Sequence, residues 1–573
     1  MKLLKLHIKD DFRSLHAGFE VHFHQLTDKG IEAMSKFQPF CFAGLNGSGK
    51  SNVLEALASI FYHLEFCVVK FRPKSFERYF RRYESKPDAY ILEYLIGERD
   101  SDTYDLSYLV TIEKIKGEEP KMYIRPFPLD ETVERKEISL AAFEAGDVAI
   151  GKVYLPDLII GYSSGENETL SLPFIKSRLV NFDKYREDSN KGNLYDEPET
   201  SLIYIDEGMS QAVLLAALLF ENDETLDPLK KEVGIKAMES FTLHLNNHFL
   251  KFNEKGSTQK PILEHIETDI TKLKKCATCW YNHEVDTKGE HGQPHSVLSL
   301  DFYVNDATKT AFKKHFETSF ELFRFFQVLY ELNANIVPEA IKEEVYDSEG
   351  FYTKGKLPVA SPQDSVFFFL NYMILKEKTR GKGDYIPLLL REFSDGEHQF
   401  LHTIGICLML KKRRSILLLD EPETHFNPAW RARFIKILND SITAGQPQDD
   451  DDFNIHLLKD VILTSHSPFI ISDCMPDSVL FFKRDEENDL VEANTASELG
   501  LNTYGSSIDY LLKNFFKTNL IGKKSFEELK DVIENGSLEE LRTAIDYFGE
   551  SSEKQFIFRK IYEKTNPPDD NKT

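Results

Sequence analysis

The chain has 573 residues, which at about 150 residues per domain indicates three to four domains or one large domain with insertions. Hydrophobic residues make up 41% of it, enough for a substantial core, so a disordered or fibrous chain is excluded. The net charge of −24 argues against a surface that binds nucleic acid everywhere, although it is compatible with a local basic groove.

Six cysteines are too few for a disulfide framework and indicate a reducing compartment. The first twelve residues carry three lysines and no apolar stretch of signal-peptide length. The longest apolar runs, such as 212–220, fall short of the ~18 residues that span a bilayer. We therefore expect a soluble, cytoplasmic protein with no membrane partner.

Hydrophobic periodicity predicts the elements of the first 130 residues. They are strands over 3–8, 19–23, 38–43, 90–96, 106–115 and 121–126, and a helix over 52–66. Charged turns separate the last three strands, which predicts an antiparallel subdomain.

From about residue 200 to residue 345 the pattern becomes mainly helical. Helices are predicted over 211–221, 229–250 and 308–332, with one strand over 296–304. Helix and strand alternate again over 365–485, and the tail from about residue 500 is predicted to be helical. The sequence contains no long heptad array, so we expect no extended coiled-coil arm.

The strongest motif is the octapeptide GLNGSGKS at 44–51, which fits G-x-x-x-x-G-K-[ST] between a predicted strand and a predicted helix. Its glycines allow backbone N–H groups to face phosphate oxygens, and the helix N-terminus adds its positive dipole. Lys50 is expected to reach the β- and γ-phosphates of ATP, and Ser51 to bind Mg²⁺. The alternative is a glycine-rich turn without a ligand. The predicted nucleotide-binding residues here are Gly44, Asn46, Gly47, Ser48, Gly49, Lys50, Ser51 and Asn52.

An acidic pair follows a second apolar run. The run 416–419 predicts a buried strand, so Asp420 emerges at its end, where it would hold the Mg²⁺ shell. Glu421 is then placed to polarise the attacking water as a general base. The pair Asp206-Glu207 also follows an apolar run and is an alternative. The sequence after it is helical, however, and lacks the Pro-Glu-Thr segment that follows Glu421.

Two patterns that are weak individually complete the set. Ser394, Gly396 and Glu397 open a predicted helix whose N-terminus suits an anion. His466 lies in a polar turn after a predicted strand, where its ring could hydrogen-bond a γ-phosphate. Taken alone, each pattern also fits an ordinary capped helix or an ordinary loop histidine. The order of phosphate loop, Ser-x-Gly-Glu helix, Asp-Glu strand and histidine turn is specific.

In this order the motifs resemble those of the ATP-binding-cassette (ABC) ATPases of the SMC, RecF and OLD group. The likeness rests on LKLHIKDDFRSL, GLNGSGKSNVLEAL, FSDGEHQ, LLLDEPETHFNP and LTSHSPFIISD, and it covers residues 1–60 and about 385–485. Two departures stand out. Asp395 replaces the second glycine usual in the signature of transporter ATPases. The Q-loop glutamine of the group has no clear counterpart, and Gln211 is a weak candidate for it.

The resemblance implies roles for individual residues. Glu421 would be the catalytic carboxylate and His466 the switch histidine, and residues 423–428 would lie at the seam of a dimer. Three residues would act in trans on the nucleotide of the second copy: Ser394, Gly396 and Glu397.

The resemblance and the predicted elements together give an α/β fold. It is an ABC-ATPase head, with a mixed-sheet core and an antiparallel β-subdomain, plus a large, mainly helical insertion and a helical C-terminal tail. Residues 1–160 would form the N-terminal lobe with the phosphate loop, and 161–375 the helical lid. Residues 376–490 would form the C-terminal lobe with the signature, the acidic pair and the histidine, and 491–573 the tail.

The tail bears on nuclease activity. OLD-type proteins end in a Toprim nuclease domain with a glutamate and an Asp-x-Asp pair, and we find no such arrangement on predicted strands after His466. The tail instead resembles that of ATPases in restriction-associated and Septu- or retron-type anti-phage defence systems, which work with a separate nuclease. The tail also contains a row of apolar residues at helical spacing, which we call the docking stripe. This stripe either docks the partner or packs on the chain's own head. The stripe comprises Ile508, Leu511, Leu512 and Phe515.

A possible zinc-ligand pattern lies in the predicted lid. Cys276, Cys279, His291 and His295 have nearly the spacing of a zinc finger, with a slightly short middle segment. The alternative places the cysteines at a helix end and the histidines in a polar loop, without metal.

Basic and aromatic residues alternate after the first long helix. Such a pattern suits the phosphates and bases of DNA or RNA. The alternative is a solvated helix face whose aromatic rings belong to the core. The set comprises Lys70, Arg72, Lys74, Arg78, Arg81 and Arg82 with Phe71, Phe76, Tyr79 and Phe80.

The sequence thus predicts an ATP-binding and ATP-hydrolysing SMC-like ATPase, with ATP and Mg²⁺ as cofactors and a second copy as partner. The most specific role is the regulatory subunit of an anti-phage defence system that acts with a separate nuclease. The rivals are a RecF-like DNA-repair ATPase, an ATP-gated scaffold with negligible turnover, and a zinc-dependent nucleic-acid module. Glu421 argues against the scaffold, which needs no catalytic carboxylate.

Overall fold

The computed structural model describes most of the chain, in fifteen ranges. They are 1–99, 105–130, 132–142, 147–165, 167–193, 198–250, 260–285, 295–350, 356–378, 383–410, 413–443, 455–485, 487–516, 522–551 and 554–566. The strands are β1 (Lys2–Ile8), β2 (Glu20–His22), β3 (Phe40–Gly44), β4 (Tyr90–Ile96), β5 (Tyr108–Lys114), β6 (Lys121–Pro126), β7 (Lys136–Ile138), β8 (Leu158–Ser163), β9 (Leu202–Tyr204), β10 (Ile235–Asn247), β11 (Cys279–Val285), β12 (His295–Tyr303), β13 (Phe367–Glu377), β14 (Tyr385–Leu389), β15 (Ser415–Asp420), β16 (Lys459–Thr464), β17 (Val479–Arg484) and β18 (Val491–Thr495).

The α-helices of the described ranges follow in chain order. They are α1 (Asp28–Met34), α2 (Lys50–Val68), α3 (Lys74–Glu77), α4 (Glu168–Lys191), α5 (Glu207–Phe220), α6 (Asp227–Val233), α7 (Glu267–Cys276), α8 (Asp306–His315), α9 (Ser319–Glu331), α10 (Glu339–Asp347), α11 (Asp395–Met409), α12 (Pro428–Arg431), α13 (Phe434–Thr443), α14 (Pro468–Ser472), α15 (Ile508–Phe515), α16 (Lys523–Asn535), α17 (Leu538–Tyr547) and α18 (Lys554–Thr565). Among these described helices, none is long and apolar enough to cross a membrane.

The strands form three sheets. One is antiparallel, in the order β2-β1-β4-β5-β6-β7, which confirms the antiparallel subdomain predicted from the turns. The second has the order β18-β17-β3-β16-β15-β8-β9, with parallel pairing from β17 to β9. The third, which we name the lid sheet, is antiparallel in the order β11-β12-β10-β13-β14.

The main hydrophobic core surrounds α2. Apolar residues along this helix, among them Val53, Leu57 and Phe61, are fully buried. They share one cluster with residues of the first and second sheets. Most residues of α2 are buried, as expected of a helix that the core encloses on nearly all sides. This packing fixes the first turn of α2, which carries the end of the phosphate loop.

The predicted mainly helical lid is wrong in part, because the region contains four strands of the lid sheet. The helix predicted over 229–250 is in fact α6, which ends at Gly234, followed by β10. Gly234 adopts φ 74°, a left-handed conformation that ends helices and favours glycine. Beyond it, Phe241, Leu243 and Leu245 alternate as buried side chains of a strand.

Three predicted boundaries cut secondary structure. The boundary at 160 falls within β8, the boundary at 375 within β13, and the tail start at 491 coincides with β18. The strand β18 pairs with β17 in the second sheet and so is not part of a helical tail. The compact units are instead Met1–Tyr504 and Gly505–Thr573.

In the second unit, Gly505–Thr573, the described residues form the helices α15, α16, α17 and α18. Helices α16, α17 and α18 share a small core built on Leu529, Leu541 and Ile557. In α15, Leu511 and Phe515 of the predicted docking stripe are buried, whereas Leu512 is half-buried. Burial of Leu511 and Phe515 favours the alternative that this stripe packs within the chain.

Arg414, just before β15, connects three segments of the chain: its own, the residue after β4, and 153–157. Only 2% of its side chain is exposed, and it donates to carbonyls of Gly97, Val153 and Leu155 and to the carboxylate of Asp157. Arg414 is therefore a buried structural cation.

Replacement of Arg414 by methionine should destabilise the protein strongly. The change leaves the Asp157 carboxylate without its main partner, and loss of one member of a buried ion pair costs about 3–5 kcal/mol. The control is Arg413→Met, which among the described residues removes a stacking contact on Phe320 and should cost about 0.5–1 kcal/mol. Urea denaturation measures both. Equal free energies of unfolding for the two variants would contradict the structural role.

Candidate nucleotide-binding and hydrolysis site

The predicted phosphate loop joins β3 to α2. Gly44 and Gly49 adopt φ 145° and 94°, and a Cβ on Gly44 would lie 2.4 Å from the carbonyl oxygen of Phe482. These positions therefore require glycine, and the loop closes into a cradle. The Ser48 hydroxyl is buried and has no hydrogen-bond partner among the described residues. A phosphate oxygen in the cradle would supply that partner.

Lys50 is folded back over this cradle. Its Nζ donates to the carbonyl oxygens of Gly44 and Leu45 at 3.0 and 2.9 Å. Only 5% of the residue is exposed, and this burial lowers the pKa of its ammonium to about 8. The ammonium is thus held at the loop by neutral acceptors, for which an anionic phosphate is a stronger substitute.

Asp420 is the point where the predicted motifs meet. It ends the central strand β15 and is 8% exposed. Its Oδ1 accepts from Ser51 Oγ at 2.9 Å and from Thr464 Oγ1 at 2.7 Å. A serine hydroxyl beside a carboxylate is the hard oxygen pair that Mg²⁺ prefers. These two residues therefore fit the predicted Mg²⁺ site.

Glu421, the predicted general base, directly follows Asp420. Its backbone has φ 49°, a strained left-handed conformation for a glutamate, and its N–H donates to Thr464 Oγ1 at 3.0 Å. The carboxylate Oε1 lies 3.4 Å from Nε2 of His466 and is 43% exposed. The hydrogen bond with His466 lowers the pKa of Glu421, so the carboxylate is ionised and can accept a proton at neutral pH.

The predicted dimer seam is only partly on the surface. Glu423 and Phe426 are buried, whereas Thr424, His425 and Asn427 are exposed. The Ser465 hydroxyl donates to Glu423 Oε1, and burial raises the pKa of this carboxyl to about 7. The prediction that the whole segment 423–428 lies at a seam is therefore wrong for its two buried residues, which pack inside the chain.

The signature residues form a capped helix start. Ser394 is the N-cap of α11 and pairs with Glu397 in a capping box, and Glu397 also forms an ion pair with Lys376. A Cβ on Gly396 would lie 2.8 Å from the carbonyl oxygen of His425. Glycine is thus required where α11 approaches the segment that follows β15. The Glu397 carboxylate is engaged within the chain, while Ser394 is exposed.

The alternative acidic pair has a different place. Asp206 follows the edge strand β9 and is the N-cap of α5, where it accepts from Met209 N at 3.1 Å. It also contacts Tyr330 and Arg178. Because Ser51 contacts Asp420, the geometry favours the Asp420-Glu421 pair.

Sequence reasoning missed Asn167. It follows β8, the parallel neighbour of β15, and its Nδ2 donates to Asp420 Oδ2 at 2.8 Å. Gln211, offered for the Q-loop, lies instead in α5, where its carbonyl oxygen accepts from Tyr372. The sequence does show a polar residue after a second buried strand. It does not show that β8 lies beside β15, because that adjacency is set by the order of strands in the sheet.

We expect Asn167→Asp to impair metal-dependent turnover. Asn167 Oδ1 also caps α4 at Leu170 N, and aspartate preserves that cap while it turns the donor toward Asp420 into a like charge. Loss of an outer-shell partner typically costs about 10–100-fold in metal affinity or activity. The matched control is Asn305→Asp, the same change at the N-cap of α8. Phosphate release against Mg²⁺ concentration measures the effect, and equal Mg²⁺ dependence of both variants would exclude the role.

The predicted four-ligand zinc site is incompatible with the strand register. Cys279 pairs with Asp301 and Val285 with His295, so Cys279 and His295 lie at opposite ends of the β11–β12 ladder. Six residues of antiparallel strand span about 20 Å, too far for one ion. Cys276 is buried at the end of α7, and His291 lies outside the described residues. The described ranges contain no cluster of three or more His, Cys, Asp or Glu suited to a metal.

The basic-aromatic cluster is largely engaged within the chain. Arg82 donates to Glu119 and to the carbonyl of Cys67, and Arg72 donates to the carbonyl of Phe66. Phe76 is buried and stacks with Phe80. These contacts favour the structural alternative over a nucleic-acid surface.

Residues 295–472 match a protein family described as "AAA domain, putative AbiEii toxin, Type IV TA system". The matched stretch includes Asp420, Glu421 and His466, whereas the phosphate loop lies before it. No curated protein matches the chain. The match, together with the phosphate loop, supports a P-loop ATPase of the ABC or AAA type.

Proposed function

We propose that this chain is an ATPase head that closes around ATP as a dimer, hydrolyses it, and regulates a separate nuclease in a defence system. The observation that carries the proposal is the convergence on Asp420 of Ser51 from the phosphate loop, Thr464 from β16 and Asn167 after β8. Four distant segments of the chain thus build one polar site at the carboxyl edge of a parallel sheet, the usual ligand position in such sheets.

Different residues of the chain would bind the phosphates, hold the metal ion and activate the attacking water. The loop N–H groups and Lys50 would hold the phosphates, and Ser51 with Asp420 would hold Mg²⁺, which when bound neutralises charge on the phosphates. Glu421 would accept the proton of the attacking water, which can reach its carboxylate because that side chain is 43% exposed. His466, which lies within hydrogen-bond range of that carboxylate, would contact the terminal phosphate.

The exposure of the site supports the dimer. Glu421 is 43% exposed, and the exposed Ser394 belongs to the start of another helix. A second copy that presents its Ser394 end to this open side would exclude water, which strengthens the electrostatic contacts of the transition state. Nucleotide binding and association of two copies would then be coupled.

The regulatory role rests on two further observations. The chain carries a separate helical unit, Gly505–Thr573, that the ATPase site does not use. The description of the matched family, "AAA domain, putative AbiEii toxin, Type IV TA system", supports a defence-related role over transport. A separate nuclease is proposed because the tail sequence resembles that of two-component defence ATPases.

The experiment is to purify the full chain and assay it alone with Mg²⁺, Mn²⁺ and ATP. We expect phosphate release without cleavage of DNA or RNA. Cleavage that disappears when an acidic residue after Asp485 is changed would refute the separate nuclease. Turnover that DNA stimulates would favour the DNA-repair ATPase instead, and negligible turnover would favour the scaffold.

A further inference from the structure

The two edge strands of the lid sheet differ in how well they are protected from pairing with a further strand. In the order β11-β12-β10-β13-β14, the outer strands β11 and β14 each pair with one described neighbour. The strand β14 contains Pro387, and a proline removes a backbone donor and so protects an edge from further pairing. The strand β11 has no proline, lysine or arginine in its seven residues. Its outer backbone groups are therefore an unprotected template for another strand.

The side chains of β11 are uncovered on both faces. Trp280 is 48% exposed and Tyr281, on the opposite face, is 51% exposed. Asn282, His283 and Glu284 are exposed as well. Clustered aromatic exposure on an open edge is typical of an interaction surface.

The sequence of β11 is complementary to itself. If two copies pair in an antiparallel register centred on Asn282, that residue faces Asn282 of the second copy. Tyr281 then faces His283, an aromatic cross-strand pair, and Trp280 faces Glu284. No two carboxylates meet, because Glu284 is the only acidic residue of the strand.

A nearby lysine completes the charge match. Nζ of Lys274 lies 4.6 Å from the centroid of the Trp280 ring. Directly opposed residues of an antiparallel pair lie on the same face, so Glu284 of the second copy would enter the space beside this ammonium. Two-fold symmetry makes the contact twice. This complementarity favours a second copy of the chain over an unrelated strand.

We propose that two copies of this chain pair through their β11 strands, centred on Asn282, and join their lid sheets into one sheet of ten strands. The pairing uses no residue of the nucleotide site, so it is independent of ATP and separate from the head dimer proposed above. It holds whether or not the heads hydrolyse ATP.

Disulfide cross-linking tests the register. In the Cys279→Ser background, Asn282→Cys brings two thiols opposite each other, with Cα atoms about 4.5–5.5 Å apart, close enough for a disulfide. The matched variant Glu284→Cys places its two Cα atoms about 14 Å apart, which is too far. Under mild oxidation without nucleotide we expect a covalent dimer from Asn282→Cys alone. Equal cross-linking of both variants, or of neither, would overturn the proposal.

A charge-swap experiment tests whether the partner of β11 is a second copy of the chain. Asn282→Lys and Asn282→Glu each place like charges opposite at the two-fold axis and should weaken self-association in nucleotide-free sedimentation velocity. An equal mixture should regain it, because lysine then faces glutamate, and this recovery also shows that both variants are folded. Tyr303→Lys, on the neighbouring strand β12, should associate like the unaltered chain. A monomeric unaltered chain, or a mixture that fails to recover, would overturn the proposal.

Discussion

Glu421→Gln should abolish most ATP turnover while it preserves ATP binding. Glutamine keeps the shape of the side chain but cannot accept a proton, and loss of a general base typically lowers the rate by ~10²–10⁴-fold. Because Lys50, Ser51 and Asp420 are unchanged, ATP should still bind, and the variant should accumulate as an ATP-bound dimer. Phosphate release, nucleotide retention and sedimentation with and without ATP measure the three expectations.

Glu423→Gln is the matched control. It is the same substitution two residues away, at a buried carboxyl whose pKa burial already raises to about 7, so a neutral side chain is a small change there. We expect near-normal turnover and an ATP-dependent dimer that dissociates. These sedimentation comparisons use the Asn282→Lys background, which weakens the β11 pairing. If Glu421→Gln contains the same fraction of monomer there with and without ATP, the head dimer is wrong; if Glu421→Gln turns over normally, Glu421 is not the base.

The sequence predicted the elements whose partners are local. The strand, loop and helix around Lys50 carry their own signals: an apolar run, glycines, and apolar residues at helical spacing. The predicted strand over 90–96 coincides with β4, and the predicted helix over 52–66 lies within α2. Here the periodicity and the burial agree, because the same residues face one continuous core.

Features that depend on distant pairing were not predictable. The stretch of β10 contains apolar residues that fit both a helical and an alternating pattern, and only its pairing with β12 and β13 selects the strand. Asn167 acquires its role because β8 lies beside β15, a neighbour more than 250 residues later in the chain. The zinc pattern failed for the same reason, since spacing along the chain does not reveal that Cys279 and His295 occupy opposite ends of a ladder.

Lys50→Ala should abolish detectable ATP binding. The Nζ atom now donates to two carbonyl oxygens of the loop, and on binding these contacts would be exchanged for charged phosphate oxygens. Loss of two charge-assisted hydrogen bonds, each worth about 1.5–3 kcal/mol, corresponds to an affinity loss of about 10²–10⁴-fold. Calorimetric titration with ATP measures this. Normal binding by the variant would place the nucleotide elsewhere than in residues 44–51.

The same lysine should make ATP affinity depend on pH in the alkaline range. Burial lowers the pKa of Lys50 to about 8 in the free protein, so the ammonium is charged below that pH and increasingly neutral above it. Phosphate favours the charged form, and the pKa of Lys50 must therefore rise on binding. Above pH 8, binding then takes up a proton, and affinity should fall by up to about tenfold per pH unit.

Lys50→Arg separates charge from titration. Arginine stays charged throughout this range, so its affinity, although lowered by the different geometry of the guanidinium, should not change between pH 7 and pH 9. The unaltered chain should lose affinity over the same interval, and proton uptake should be detectable from the dependence of the binding heat on the buffer. Equal pH profiles for the two proteins would show that another group titrates, and Lys50 would then not be the residue that carries the phosphate charge.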